Sequence, residues 1–249
     1  MKNKGKNNKQ AYFIGLKGVG MTMLAQFLKT QGWTVSGSDI CDRFLTDAVL
    51  HRHGISVFSP FSAKNIPDKI DLIVHSSAFN AQNNPELEFI AKHPDIFSNV
   101  SVLSYAEALG TEFNRYLGVA VCGSHGKTTT TAWLGYVLSR AGLSPNVLVG
   151  SNVEQFKGSG LSGTSRYLVA EVDEYQNKMR FFSPVGVLLN NVDYDHPDFF
   201  KTKAAYNNVF KQFIKKIPVT GWLVVNFDDK VALSLARNCA GQVITYSLV

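Results

Sequence analysis

The sequence predicts an α/β protein built from two parallel-sheet domains, and three observations carry that prediction. At two places, residues 11–30 and 117–138, a short apolar strand runs into a glycine loop and then into a helix. Apolar strands alternate with helical periods along most of the chain, the pattern of a parallel sheet covered on both faces. Acids, amides and serines gather where those strands stop, which is where such sheets bind ligands.

The first domain opens with an apolar strand from Ala11 to Leu16, overlapping the run G-L-K-G-V-G-M with Gly15, Gly18 and Gly20. A helix over Met21–Thr30 follows, with Met21, Leu24, Ala25 and Leu28 on one face, then a strand over Trp33–Ser38 that stops at Asp39. Strand, glycine loop, helix, strand and terminal acid form the dinucleotide-type, Rossmann-like arrangement, here with G-x-x-G-x-G in place of the usual G-x-G-x-x-G. Further on, the patterns predict a helix over Phe44–His53, a strand over Ile55–Phe58 and a strand over Leu72–His75 that runs into Ser76, Ser77 and Ala78. Helices are expected over Pro85–Ala91, with the proline in its first turn, and over Tyr105–Leu109. The carboxyl edge of this sheet would gather Gly18, Val19, Gly20 and Met21 with Ser38, Asp39, Ser76 and Ser77.

The polar segment from Gly110 to Tyr116 marks the domain boundary, giving domains over 11–114 and 115–249 after a disordered basic tail over 1–10. The second domain opens with the strand Val119–Cys122, the loop Gly123-Ser124-His125-Gly126, and then Lys127 and Thr128–Thr131 at the start of a helix. This is a phosphate cradle. Glycines let backbone N–H groups approach phosphate oxygens, the helix N-terminus adds positive potential, the lysine reaches the outer phosphates and the next hydroxyl suits Mg²⁺. The longer pattern G-x-x-x-x-G-K is not met, since Val121 and Cys122 stand where its first glycine is wanted.

Beyond the loop helix, strands are predicted over Asn146–Val149, Tyr167–Ala170 and Val185–Leu189, with Gly158–Ser165 read as a mobile loop. Glu171, Asp173 and Glu174 close one of these strands, and hard carboxylate oxygens there suit a Mg²⁺–nucleotide complex. Asn190, Asn191, Asp195 and His196 close another, a group suited to a second cation or to orienting a phosphate. An amphipathic helix over Lys203–Ile217, carried by Val209, Phe210, Phe213 and Ile214, and strands over Gly221–Asn226 and Val243–Tyr246 complete the chain.

Composition narrows the function classes. The 249 residues, 45% of them hydrophobic, suffice for ordinary cores. No run approaches the roughly 18 uncharged apolar residues of a membrane span, so the expectation is a cytoplasmic protein without membrane insertion. Cys41, Cys122 and Cys239 are far apart and form no C-x-x-C pair, which fits free thiols better than disulfides or a metal site. The net charge of +6 owes much to Lys2, Lys4, Lys6 and Lys9, so it gives no reason to expect nucleic acid.

With these motifs in hand, the chain resembles the Mur ligase family, the amide-forming ligases of peptidoglycan synthesis. The resemblance is carried by G-L-K-G-V-G-M at 15–21, V-S-G-S-D at 35–39, S-S-A at 76–78, G-S-H-G-K-T-T-T-T at 123–131, E-V-D-E-Y at 171–175 and N-V-D-Y-D-H at 191–196. It implies a Rossmann-like UDP-sugar-binding domain followed by a P-loop-type central ATP-binding domain. The central domain is expected to be incomplete and the family's C-terminal domain absent, with a separate chain left open as its source.

The activity implied is joining L-alanine to UDP-N-acetylmuramate through an acyl phosphate, using ATP and Mg²⁺. Two alternatives stay open: a recycling ligase that attaches a murein peptide, and a non-catalytic UDP-sugar or nucleotide-binding fragment. Carried onto this sequence, the resemblance gives ATP to Gly123, Ser124, His125, Gly126, Lys127, Thr128, Thr129 and Asn191, and Mg²⁺ to Thr128, Glu171 and His196. Lys127, Glu171 and His196 would be catalytic. The UDP-sugar falls to Gly18, Val19, Gly20, Met21, Ser38, Asp39, Ser76, Ser77 and His125. Lys17 and Val19 depart from the glycine and alanine common in the family's first loop.

Overall fold

The computed structural model describes residues 9–156 and 158–248, so most of the basic tail expected over 1–10 lies outside the described residues. The chain divides into two compact units, Met1–Ala108 and Leu109–Val249.

In the first unit the elements are β1 (Gln10–Ile14), α1 (Val19–Thr30), β2 (Thr34–Ser38), α2 (Asp47–Arg52), β3 (Ser56–Phe58), β4 (Leu72–His75), α3 (Pro85–Lys92) and β5 (Ser101–Ser104). The five strands form one parallel sheet in the order β3-β2-β1-β4-β5, so the alternation read from the sequence is the sheet that forms. β1 is central and buried, and it ends at Gly15, whose φ of +86° turns the chain in a conformation costly for other residues. Tyr12, Ile14 and Ile73 on the strands pack with Leu87 and Phe97 to form the core on one face.

Local chemistry sets the helix ends. Asn84 caps α3 by accepting from the N–H groups of Glu86 (2.9 Å) and Leu87 (3.1 Å), with Pro85 in the first turn. The helix expected from Phe44 begins only at Asp47, because the Asp47 carboxylate accepts from the Phe44 N–H and holds residues 44–47 as a turn.

Helix α4 (Tyr105–Phe113) contains the unit boundary and takes in half of the polar segment expected as linker. The second unit continues with β6 (Leu117–Cys122), α5 (Lys127–Arg140), β7 (Asn146–Val153), β8 (Gly158–Leu161), β9 (Tyr167–Glu171), β10 (Gly186–Leu189), α6 (Lys203–Ile214), β11 (Trp222–Asn226), α7 (Lys230–Ala236) and β12 (Gln242–Tyr246). Its sheet runs β12-β11-β10-β6-β9-β7-β8. All pairings are parallel except β7 with β8, which makes this a mixed sheet.

β8 corrects the reading of Gly158–Ser165 as a mobile loop. Its glycines serve close approach rather than disorder: a Cβ at Gly160 would lie 2.1 Å from the Val147 carbonyl oxygen of β7. α5 packs over β6, β9 and β7. On the same side, β10 and β11 leave an apolar hollow of about 450 Å³ lined by Trp133, Leu134, Val137, Leu188, Val224 and Tyr246.

Asp229 links fold to site. Its Oδ1 caps α7 through the N–H groups of Val231 and Ala232, and its Oδ2 accepts from the Val192 N–H at 2.7 Å, anchoring the loop that follows β10. Asp229→Ala is expected to lower the stability of this unit by about 1–2 kcal/mol, the usual cost of a lost N-cap plus one further bond. A denaturant midpoint unchanged from the parent chain would contradict this.

Candidate functional site

The strongest constellation lies at the carboxyl ends of β6, β9 and β10. Between β6 and α5 the loop turns at Gly123 (φ +135°) and Gly126 (φ +78°), which makes Gly126 the N-cap of a 14-residue helix. The first N–H groups of such a helix have no intrahelical partner and face outward with its positive potential. A Cβ at Gly123 would stand 2.9 Å from the Asn191 carbonyl oxygen, so glycine is what admits the neighbouring loop here.

That neighbouring loop braces the glycine loop. Asn191 accepts from the His125 N–H (2.8 Å) and donates to the His125 carbonyl (3.1 Å), while Asn190 donates to the same carbonyl and to the Thr130 hydroxyl (3.0 Å). The Ser124 hydroxyl donates to the Asp193 carbonyl at 2.6 Å or to the Tyr206 hydroxyl at 2.7 Å, and it accepts from the Asp193 N–H. Asn191 and Ser124 therefore hold the loop's shape, whereas Thr129 and the His125 imidazole are exposed.

Two side-chain pairs meet at the start of α5. The Thr128 hydroxyl donates to Glu171 Oε2 at 2.8 Å, uniting the residue after the lysine with the acid that ends β9. Glu171 has room because β7 carries a glycine beside it: a Cβ at Gly150 would lie 1.8 Å from Glu171 Oε1. Lys127 Nζ donates to the carbonyls of Gly123 (2.7 Å) and Ser124 (3.2 Å) and pairs with Glu174 Oε2 at 3.3 Å. Glu174 is fully buried.

His196, expected at a second cation or at the phosphates, lies against Glu174 (3.8 Å) and Asp195 (3.9 Å). It adopts φ +54°, and its ring lies 4.6 Å from that of Tyr175. One donor atom each from Asp173, Glu174 and His196 fall within 4.8 Å of one another, a second oxygen and nitrogen set near the loop. Hydroxyl and carboxylate oxygens are the donors that a hard divalent cation accepts, so Thr128 with Glu171, and the carboxylates of Asp173 and Glu174, fit Mg²⁺ by donor chemistry.

Sequence reasoning passed over Tyr206. It lies on the apolar stripe of α6 with Val209, Phe210 and Phe213, fully buried, and its hydroxyl meets Ser124 and, at 3.0 Å, Glu174 Oε1. Burial, reinforced by the Glu174 charge, holds this phenol far above its ordinary pKa, so it stays protonated. The available signal was a tyrosine on a stripe otherwise of phenylalanine and aliphatic residues, since a buried hydroxyl demands a partner. Burial likewise raises the Cys122 thiol and makes it inert.

The first unit has its own candidate site at the ends of β1, β2 and β4. Gly18 and Val19 are exposed in the glycine loop and Met21 is buried beneath it; Gly20 leaves room for the Tyr105 ring, which a Cβ would meet at 2.7 Å. Ser38 and Asp39 are buried and already committed. The Ser38 hydroxyl donates to Glu86, and Asp39 accepts from the N–H groups of Lys17 (2.6 Å) and Ile40 (2.8 Å). Ser76 is half-buried and Ser77 exposed.

Lys17 explains its own departure from glycine. Its Nζ donates to the carbonyls of Ile40 (3.0 Å) and Asp42 (2.7 Å) and approaches Asp47 at 3.6 Å, tying the segment after β2 to the glycine loop.

Known proteins resemble the chain over both units. The profile described as "Mur ligase family, catalytic domain" matches residues 10–117, and that of the "Mur ligase middle domain" matches 121–249. The UDP-N-acetylmuramate–L-alanine ligase of Borreliella burgdorferi is 41% identical over 91% of this chain and 48% of its own length. That of Caldicellulosiruptor bescii is 38% identical over 95% of this chain and 50% of its own.

Among solved structures, the UDP-N-acetylmuramate:L-alanyl-γ-D-glutamyl-meso-diaminopimelate ligase of Neisseria meningitidis superposes with a TM-score of 0.85 at 27% identity, covering 96% of this chain and 78% of that one. The UDP-N-acetylmuramate–alanine ligase of Thermotoga maritima gives 0.81 at 26% identity, covering 96% and 52%. The chain thus spans about half the length of the curated relatives it matches. On matched profiles over both units and on relatives at this identity, the chain belongs to the Mur ligase family.

Proposed function

We propose that this chain carries the ATP and UDP-sugar sites of a ligase that joins L-alanine to UDP-N-acetylmuramate, and that it works in the cytoplasm, where ATP is available. The observation that carries the reading is the meeting of Lys127, Thr128 and Glu171 on one glycine loop, in a chain whose curated relatives bear that ligase name. Lys127 and the loop N–H groups neutralise and orient the outer phosphates for transfer of the γ-phosphoryl group to the muramate carboxylate. Phosphoryl transfer asks a protein for position and charge more than for covalent help.

Thr128 and Glu171 would hold Mg²⁺, with His196 and Glu174 at a second position. When bound, the ion supplies charge neutralisation between the phosphates. In the first unit, Gly18, Val19, Gly20 and Met21 with Ser76 and Ser77 would receive the uridine diphosphate. Ser38 and Asp39 shape that site from beneath through Glu86 and Lys17.

The test is phosphate release from ATP and Mg²⁺ with UDP-N-acetylmuramate, with and without L-alanine, beside calorimetric binding of the UDP-sugar. Alanine-dependent release that disappears in Lys127→Ala supports the proposal. UDP-sugar binding without release assigns turnover to polypeptide beyond this stretch. Loss of both overturns it. Replacing L-alanine by the L-alanyl-γ-D-glutamyl-meso-diaminopimelate tripeptide tests a second reading, favoured by the likeness to the Neisseria ligase.

A further inference from the structure

Lys127 serves two anions. In this structure it pairs with the buried Glu174, and on the proposed reading it must also reach phosphate. A lysine that leaves a fully buried carboxylate strands a charge, which costs several kcal/mol unless another donor stays behind. The other oxygen of that carboxylate, Oε1, faces the Tyr206 hydroxyl at 3.0 Å.

Proton counting fixes the direction of that bond. An ionised carboxylate only accepts, so the single phenolic proton of Tyr206 goes to Glu174. Its oxygen stays in contact with Ser124 Oγ, 2.7 Å away in the loop before α5, whose single proton serves either Tyr206 or the Asp193 carbonyl at 2.6 Å. Tyr206 is held for this by aromatic packing, with ring centroids 5.1 Å from Phe200, 5.3 Å from Phe210 and 5.9 Å from Tyr194.

We propose that Tyr206 is a positioning residue that frees Lys127: by donating to Glu174 it keeps the buried carboxylate compensated while the ammonium moves to phosphate, and through Ser124 it ties that exchange to the loop. The inference rests on the phosphate-site reading above. It concerns a residue on α6, outside every motif that carries the family resemblance.

The experiment measures binding of inorganic tripolyphosphate in EDTA, without Mg²⁺, to the native chain, Tyr206→Phe, Glu174→Gln and the double variant. Phenylalanine keeps the ring and its packing, and thermal melts check that the fold is retained. In the native background Tyr206→Phe is expected to weaken binding about tenfold, the scale of one hydrogen bond to a charged group. In the Glu174→Gln background the same change should fall within about twofold, since no buried charge remains to be compensated.

Equal losses in both backgrounds would assign Tyr206 a purely structural role and overturn the proposal. So would a Tyr206→Phe chain that binds as the native one does. Absence of tripolyphosphate binding by the native chain would remove the phosphate-site reading, and this proposal with it.

Discussion

Lys127→Ala is expected to weaken binding of ATP by about 100- to 1000-fold, the worth of two hydrogen bonds from an ammonium to phosphate oxygens. The same change removes the contacts of Nζ with the Gly123 and Ser124 carbonyls and leaves Glu174 buried without its cation. Stability should therefore fall too, by about 3 kcal/mol, toward the lower end for a broken buried pair because the lysine side chain is partly exposed. The two effects separate in the double variant with Glu174→Gln. Neutralising the stranded carboxylate should restore most of the melting temperature and none of the affinity. If affinity returned along with stability, Lys127 would be a loop staple rather than a phosphate ligand.

Gly150→Ala should have the opposite profile, a large functional effect at little cost in stability. The new Cβ would collide with Glu171 Oε1, the free end of a flexible side chain, so the carboxylate can swing away at a cost under about 1 kcal/mol. In swinging it gives up the 2.8 Å bond from Thr128. The gain in ATP affinity on adding Mg²⁺ is expected to drop by about 10- to 100-fold, as when a carboxylate loses its fixed orientation at a metal. Affinity in EDTA should be unchanged. An intact Mg²⁺ effect in this variant would remove Glu171 from the metal site.

How far the sequence could be read depended on what each residue type does locally. β1, α1 and β2, and again β6 and α5, were legible because glycines punctuate sharply and apolar runs of strand length abut helical periods. β5 was not foreseen: Ser101–Ser104 begins and ends in serine and lies at a sheet edge, so it carries no buried run. α7 is seven residues long and depends on the Asp229 cap more than on periodicity. At β8 the same glycine and serine content that usually marks a loop instead permits close pairing with β7.

The site divides in a similar way. Lys127, Thr128 and Glu171 come from short motifs at strand ends, and the parallel pairing of β6 with β9 brings Thr128 and Glu171 together across 43 residues. Tyr206 joins them only because α6 packs where it does, and its partners Ser124 and Glu174 are 82 and 32 residues away in sequence. Lys17 reads as an intruder in a glycine loop until the carbonyls of Ile40 and Asp42 are seen to receive it.

The gap that Gly150 leaves for Glu171 gives a rule for reading distant family members. An acid at the end of β9 can persist by drift in a copy that no longer turns over, because a solvated carboxylate does no harm. A glycine at the facing position of β7 has no comparable reason to persist, since the three nearest atoms that a Cβ there would meet all belong to the Glu171 carboxylate. If Glu171 holds a metal as proposed, the two positions form one character: acid with glycine would mark a working metal site, and acid with any larger residue a descendant that keeps the fold and has lost the chemistry.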